Sequence, residues 1–211
     1  MSAVTNPQRI LITGFGPFPG AKINPSAALA RDLAHMRRFK RKDVITHHHI
    51  LNVRWNTIER ELSDQIARHQ PDILLMFGLA TRTKWLRVEA RAIDARTMLW
   101  PDKSGERPLP RKDSLPRDVM SKAGSFPARL VIAARRSGMN ARLSHNAGRY
   151  LCNEAFWQAL NHPRARSGAM LAAFIHIPRP NRQHSAKLQR ASVAILIRLI
   201  IEHRARMPAH L

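Results

Sequence analysis

Cysteine occurs once in the chain, at Cys152, so no internal disulfide can form and the composition fits a reducing compartment. The segment from Met1 to Ile12 lacks the basic start and the apolar stretch of a secretory signal. Long apolar runs are missing too. The longest, Val193 to Ile201, contains Arg198 and is far too short to cross a bilayer. These absences predict a cytoplasmic protein with no membrane partner. Acidic residues are also scarce, 14 against 36 lysines and arginines, for a formal net charge of +22. Such a field concentrates polyanions around the protein. Yet the basic residues are spread from Arg9 to Arg206, and the densest run, Arg37 to Lys42, stands alone. No zinc-finger spacing, RNA-recognition signature or basic stripe interleaved with aromatics accompanies it. Nucleic-acid affinity is therefore expected only as non-specific electrostatics.

What is present suits one globular domain spanning residues 1–211: the length fits, and a 44% hydrophobic fraction can build a core without staples. Short apolar runs alternate with amphipathic segments. Arg9–Thr13, Asp43–Val53, Ile73–Phe77, Ala141–Ser144 and Ala169–Ile177 read as strands. Trp85 to Ile93 alternates and reads as one long strand. Helical spacing appears after Pro25-Ser26 through Leu33, and over Trp55–His69, Ala128–Arg136, Tyr150–Leu160 and Gln183–His203. Residues 101–125, rich in Pro, Lys and Asp, read as a long loop of functional or mobile character. This order predicts an α/β fold: a single α/β/α domain with a twisted, mostly parallel sheet flanked by helices.

In such sheets, functional residues gather at the carboxyl ends of strands, and three places there stand out. After the first strand comes Thr13-Gly14-Phe15-Gly16-Pro17-Phe18-Pro19-Gly20, followed by Asn24-Pro25-Ser26. Pro19 replaces the third glycine of a dinucleotide fingerprint, so a phosphate loop is poorly supported. Phe15 and Phe18 wall a small flat pocket or cap the core beneath a turn. In Asn146-Ala147-Gly148-Arg149-Tyr150-Leu151-Cys152-Asn153, Gly148 offers a turn that would set Cys152 near a helix N-terminus. There the dipole lowers a thiol pKa and free amides can bind an oxyanion. By default, however, a lone cysteine is a small buried hydrophobe. In Phe174-Ile175-His176-Ile177-Pro178, a histidine closes an apolar strand, either as a catalytic base or as a hydrogen-bonded core residue. A thiol nucleophile needs a base and an acid to orient it, and Glu89 in its alternating segment is the most suggestive acid. His47-His48-His49 lie on a strand, where at most two could face one ligand, and no metal site is predicted.

Taken together, Thr13 to Phe18 with Asn24-Pro25-Ser26, Val88-Glu89 with Ala92-Ile93, His145 to Gly148 with Tyr150, Cys152 and Asn153, and Phe174 to Pro178 resemble the successive motifs of the type I pyroglutamyl peptidases. The match runs from about Arg9 to Arg204. The resemblance implies a single α/β/α domain, homo-oligomeric as a dimer or tetramer, removing N-terminal pyroglutamyl residues from peptides with no cofactor and no metal. It implies Cys152 as nucleophile, His176 as base and then acid, and Glu89 as the group orienting His176. Phe15 and Phe18 would enclose the lactam, and Asn24 would hold the loop or the substrate.

The chain departs from that pattern at three places. Gly78-Leu79-Ala80-Thr81-Arg82-Thr83 stands where the family usually has Gly-Gln-Ala-Gly-Gly-Arg, so Leu79 fills a substrate-contact position whose contribution, by the resemblance, is largely main-chain. Asp94 replaces an asparagine, and Leu99 replaces an arginine associated with oxyanion stabilisation. Arg96, three residues earlier, is either the substitute, pointing into the pocket, or one of many solvated surface cations; as the substitute, its loss would lower turnover by roughly 10²-fold. Two alternatives stay open on these residues: a catalytically weak relative serving as a binding or scaffold protein, and a basic nucleic-acid-associated protein.

Overall fold

The computed structural model describes residues 6–40, 43–109, 118–120, 126–181 and 185–206, with the backbone alone at 118–120. Strand β1 (Gln8–Phe15) leads to helix α1 (Pro25–Ala34), then β2 (Val44–Leu51), α2 (Ile58–His69) and β3 (Ile73–Leu79). The chain continues through β4 (Leu86–Glu89), β5 (Arg91–Ile93), β6 (Asp118–Met120), α3 (Phe126–Arg136), β7 (Ala141–Ser144) and α4 (Leu151–Asn161). It ends with the short α5 (Pro163–Arg166), β8 (Leu171–Ile177) and α6 (Ser185–Arg204).

Six strands form one sheet in the order β2-β1-β3-β8-β4-β7. The first four run parallel, β4 runs antiparallel to β8, and β7 is parallel to β4. The central strands β3 and β8 are buried along their whole length, as continuous apolar runs covered on both faces must be. Alternate residues feed two cores. Ile73, Leu75 and Phe77 join α1, α3 and α6 on one face. Leu74, Met76 and Phe174 join α2 and α4 on the other. This is the three-layer α/β/α architecture that the element order implied.

Two expectations need correction. Trp85–Ile93 is not one strand: Ala90 breaks it, leaving β4 in the main sheet while β5 pairs with β6 in a separate two-stranded ribbon. Residues 101–125 are not uniformly loop either, because Asp118–Met120 forms β6 and the 101–106 segment is organised by a buried side chain. Asp102 accepts from Trp55 N at 2.9 Å with one oxygen and from Ser104 N and Glu106 N with the other. Residues 110–117, 121–125 and 182–184, the last including the expected start of the final helix, lie outside the described residues.

Candidate active site

Antiparallel pairing of β4 with β8 sets Arg87 opposite His176 and Glu89 opposite Phe174. Side chains two apart share a face, so Arg87, Glu89, Phe174 and His176 all project toward the α4 layer. The consequence is a buried contact: His176 Nδ1 donates to Glu89 Oε1 at 2.8 Å. Both side chains are nearly inaccessible. A carboxylate holding Nδ1–H fixes the tautomer and leaves Nε2 as the basic nitrogen. Arg87 also reaches Glu89 Oε1, at 2.9 Å. Glu89 Oε2 is buried with no hydrogen-bond partner among the described residues.

Cys152 arrives from the other side of this cluster. Gly148, at φ +85°, makes the left-handed turn that suits glycine, and α4 then begins at Leu151 with Cys152 as its second residue. The first intrahelical bond from this turn is Glu154 N to Tyr150 O at 3.1 Å. The amides of Leu151, Cys152 and Asn153 precede it and point out of the helix end. The sulfur lies directly over β3: a Cβ added to Gly78 would stand 2.9 Å from Cys152 Sγ. Gly78 is the cross-strand partner of His176. Nucleophile, imidazole and carboxylate candidates thus share one face at the carboxyl ends of β3 and β8. The thiol is not poised as expected, however. Burial, and then the nearby Glu89 carboxylate, push it up to about 12, and Arg87 pulls it back.

The remaining candidates divide. Phe15 is in the core, its ring 6.3 Å from that of Phe174. Phe18 is half-buried, 6.3 Å from the Tyr150 ring, which in turn meets Trp55 edge-on at 5.4 Å. Tyr150 donates its hydroxyl to Pro101 O at 2.9 Å. Asn24 holds the loop. It caps α1, accepting from Ser26 N and Ser26 Oγ, and donates to Gly16 O at 3.0 Å.

Arg96 is a correction, whereas Leu79 keeps the main-chain role that the resemblance allows it. Leu79 ends β3 with its side chain in the α1/α3/α6 core, because the strand's alternation turns it away from the face that Gly78 shares with Cys152. Only its main chain remains for a substrate. Arg96 does not reach over the sulfur: it forks onto Glu154, Nε to Oε2 at 2.9 Å and NH2 to Oε1 at 2.8 Å. A buried carboxylate on the first turn of α4 outcompetes an open pocket for that guanidinium. Leu99 is 79% exposed.

Asn153 clamps the neighbouring segment, accepting from Ile93 N and donating to Ile93 O and Ala95 O. Beside it opens a cavity of about 220 Å³ whose lining includes Arg91, Ile93, His145, Asn146, Arg149 and Asn153. The histidines of β2 disperse as alternation requires. His47 stacks on His69, His48 meets His35, and His49 meets Glu61 Oε1 at 2.7 Å. Among the described residues no group of three potential ligands could hold a metal ion, and no helix is long and apolar enough to cross a membrane.

The profile of the pyroglutamyl peptidase family matches residues 8–203. The chain belongs to that family. It is 31% identical over 183 residues to a pyrrolidone-carboxylate peptidase of Vibrio vulnificus, covering 86% of this chain and 84% of the relative. Against the Pyrococcus furiosus pyrrolidone-carboxylate peptidase, identity is 28% over 171 residues, covering 81% and 80%. The fold agrees with the pyroglutamyl peptidase I of Bacillus amyloliquefaciens, with a TM-score of 0.80 at 22% identity over 93% of this chain and 97% of that one. A pyroglutamyl peptidase family member is a cysteine-type exopeptidase, and the sole cysteine here is Cys152. Arg87 was not singled out from the sequence, although its i−2 spacing from Glu89 on a strand was the available signal.

Proposed function

We propose that this chain cleaves N-terminal pyroglutamyl residues from peptides, with Cys152 as nucleophile, His176 as base and then acid, and Glu89 orienting His176. The supporting observation is the buried 2.8 Å contact between Glu89 and His176, on strands whose neighbour Gly78 carries the Cys152 sulfur against it. A thiol raised to about 12 is protonated at rest, so His176 removes its proton as sulfur attacks the pyroglutamyl carbonyl. The first-turn amides of α4 receive the oxyanion. His176 then protonates the departing amine, leaving a thioester on Cys152. Water, deprotonated by His176, attacks the thioester and releases pyroglutamate.

The lactam has no free amino or carboxyl group, so a slot with apolar walls and a few amide contacts suits it. Phe18 and Tyr150 are the half-buried aromatics on that side. Assembly as a homo-oligomer belongs to the same reading, and light scattering on the purified protein tests it. The function is tested by assaying a pyroglutamyl chromogenic amide against a panel of other aminoacyl amides. Release from the pyroglutamyl compound alone, lost in Cys152→Ser, is the expected result. Equal turnover of the whole panel, or none, overturns it.

A further inference from the structure

Glu89 faces conflicting demands. It must hold an imidazolium, yet its negative charge lies close enough to Cys152 to oppose the thiolate. With one oxygen unpaired and the other on His176, a second charge decides how that conflict is resolved. Arg87 supplies it. Its guanidinium contacts the same Glu89 Oε1 that takes the His176 proton donor, at 2.9 Å. The same NH2 group donates to Ser144 Oγ at 2.9 Å and to Asn146 O. Ser144 ends β7, and Asn146 begins the turn that delivers Cys152, since its Oδ1 accepts from Gly148 N at 2.9 Å.

We propose that Arg87 is a positioning residue that locks the Glu89–His176 pair to the Cys152 turn and shields the thiolate from Glu89. This rests on the triad reading above. The surrounding charges do not duplicate the role. On β7, Arg142 stacks over Trp85 at 3.8 Å. On α3, Arg129 binds Glu202 and Arg135 donates to Ala141 O. At the α4 end, Arg96 is taken by Glu154 and Arg91 Nε donates to His145 O. His176 on β8 and Tyr150 at the α4 cap also face the cluster, and burial, with Asp102 and Cys152, pushes the Tyr150 hydroxyl up to about 12.

The test compares Arg87→Met, which removes the charge, with Arg87→Lys, which keeps a point charge and loses the fork. An opposite charge within ~4–6 Å is worth about one pH unit or more. In Arg87→Met the acidic limb of kcat/KM against pH therefore moves upward by roughly that amount, with kcat falling and KM nearly constant. Iodoacetamide alkylation of Cys152 at pH 7.5 slows several-fold, since a higher thiol pKa lowers the thiolate fraction while partly raising its nucleophilicity. Arg87→Lys restores the limb but not the full kcat. Alkylation needs no substrate, so it reads Arg87 even if no pyroglutamyl amide is cleaved, which would count against the function alone. If both variants keep the wild-type limb and alkylation rate, and activity merely follows thermal stability, Arg87 is a structural ion-pair partner and the proposal is overturned.

Discussion

Gly78 and Cys152 are packed so closely that the strand residue has no room for a methyl group. A Cβ at Gly78 would stand 2.9 Å from Cys152 Sγ, 2.9 Å from Phe174 Cζ and 3.0 Å from Phe174 Cε1. Neither neighbour yields freely, because Phe174 is fully buried and Cys152 is fixed in the first turn of a helix. Gly78→Ala is therefore expected to cost about 1–3 kcal/mol, as overpacking of a filled interior does. It should also shift the sulfur and slow its alkylation. Urea unfolding and iodoacetamide kinetics on the same preparation check both. A variant as stable and as reactive as the wild type would place the thiol elsewhere.

Cys152 itself should titrate late. With its thiol pushed up to about 12 by burial and by Glu89, alkylation without substrate should climb through pH 7–10 with no plateau below pH 7. Cys152→Ser, nearly isosteric, should abolish hydrolysis and leave stability within about 1 kcal/mol. A reactive plateau at acidic pH would mean that the sulfur and His176 form an ion pair at rest, and that proton transfer precedes attack.

Much of this architecture was legible because it rests on local chemistry. Continuous apolar runs marked β3 and β8 as strands, and Pro25-Ser26 marked a helix start. What escaped depends on contacts between distant residues. Alternation over Trp85–Ile93 persists through Ala90, so nothing local shows that β5 leaves the sheet to pair with Asp118–Met120. The fate of Arg96 was hidden for the same reason: its partner Glu154 is 58 residues away, and a buried carboxylate on α4 reads in sequence like any helical glutamate. The helix start at Cys152 was visible, but the adjacent Glu89 carboxylate and the depth of burial, which together set the thiol, were not.

The protein should lose stability on mild acidification. His203 is buried at the end of α6, where its Nδ1 accepts from Gln8 Nε2 at 2.8 Å. Burial, the largest influence, lowers its pKa; Asp72 opposes that, and Arg206, Arg164 and Arg204 add to it. His48 and His69 are lowered too, burial again leading. A histidine depressed in the fold binds more protons when unfolded, so stability is complete above the unfolded value near 6.5 and declines as pH falls through and below it. Urea midpoints at pH 8 and pH 5.5 should differ in that direction, and His203→Gln should flatten the difference. Equal midpoints would show that these rings charge without cost.

Arg96 carries the sharpest reversal of expectation. From sequence it was either a solvated surface cation or the cation replacing the arginine missing at Leu99, and in the second case its loss would reduce turnover by roughly a hundredfold, as loss of an oxyanion donor does. The geometry assigns it other work. Its fork is committed to Glu154, a buried carboxylate that also accepts from Gln158 Nε2; the Arg96–Glu154 bond raises the guanidinium pKa against the opposing effect of burial. Next to it, Thr97 N donates to Arg149 O at 2.7 Å, so the pair pins the 93–97 segment along the start of α4. Removing one member of a buried pair strands the other, at about 3–5 kcal/mol when both are fully enclosed. Arg96 keeps 19% of its side-chain surface, which moves the expectation for Arg96→Ala to about 2–4 kcal/mol. Turnover per folded molecule should stay within a few-fold. Adding Glu154→Gln should recover part of the lost stability, because the stranded charge is then gone. Thermal melts of the single and double variants, with active-site titration to count folded enzyme, separate the two roles. A hundredfold loss of turnover at unchanged melting temperature would return Arg96 to the oxyanion, and would require its guanidinium to leave Glu154 when substrate binds.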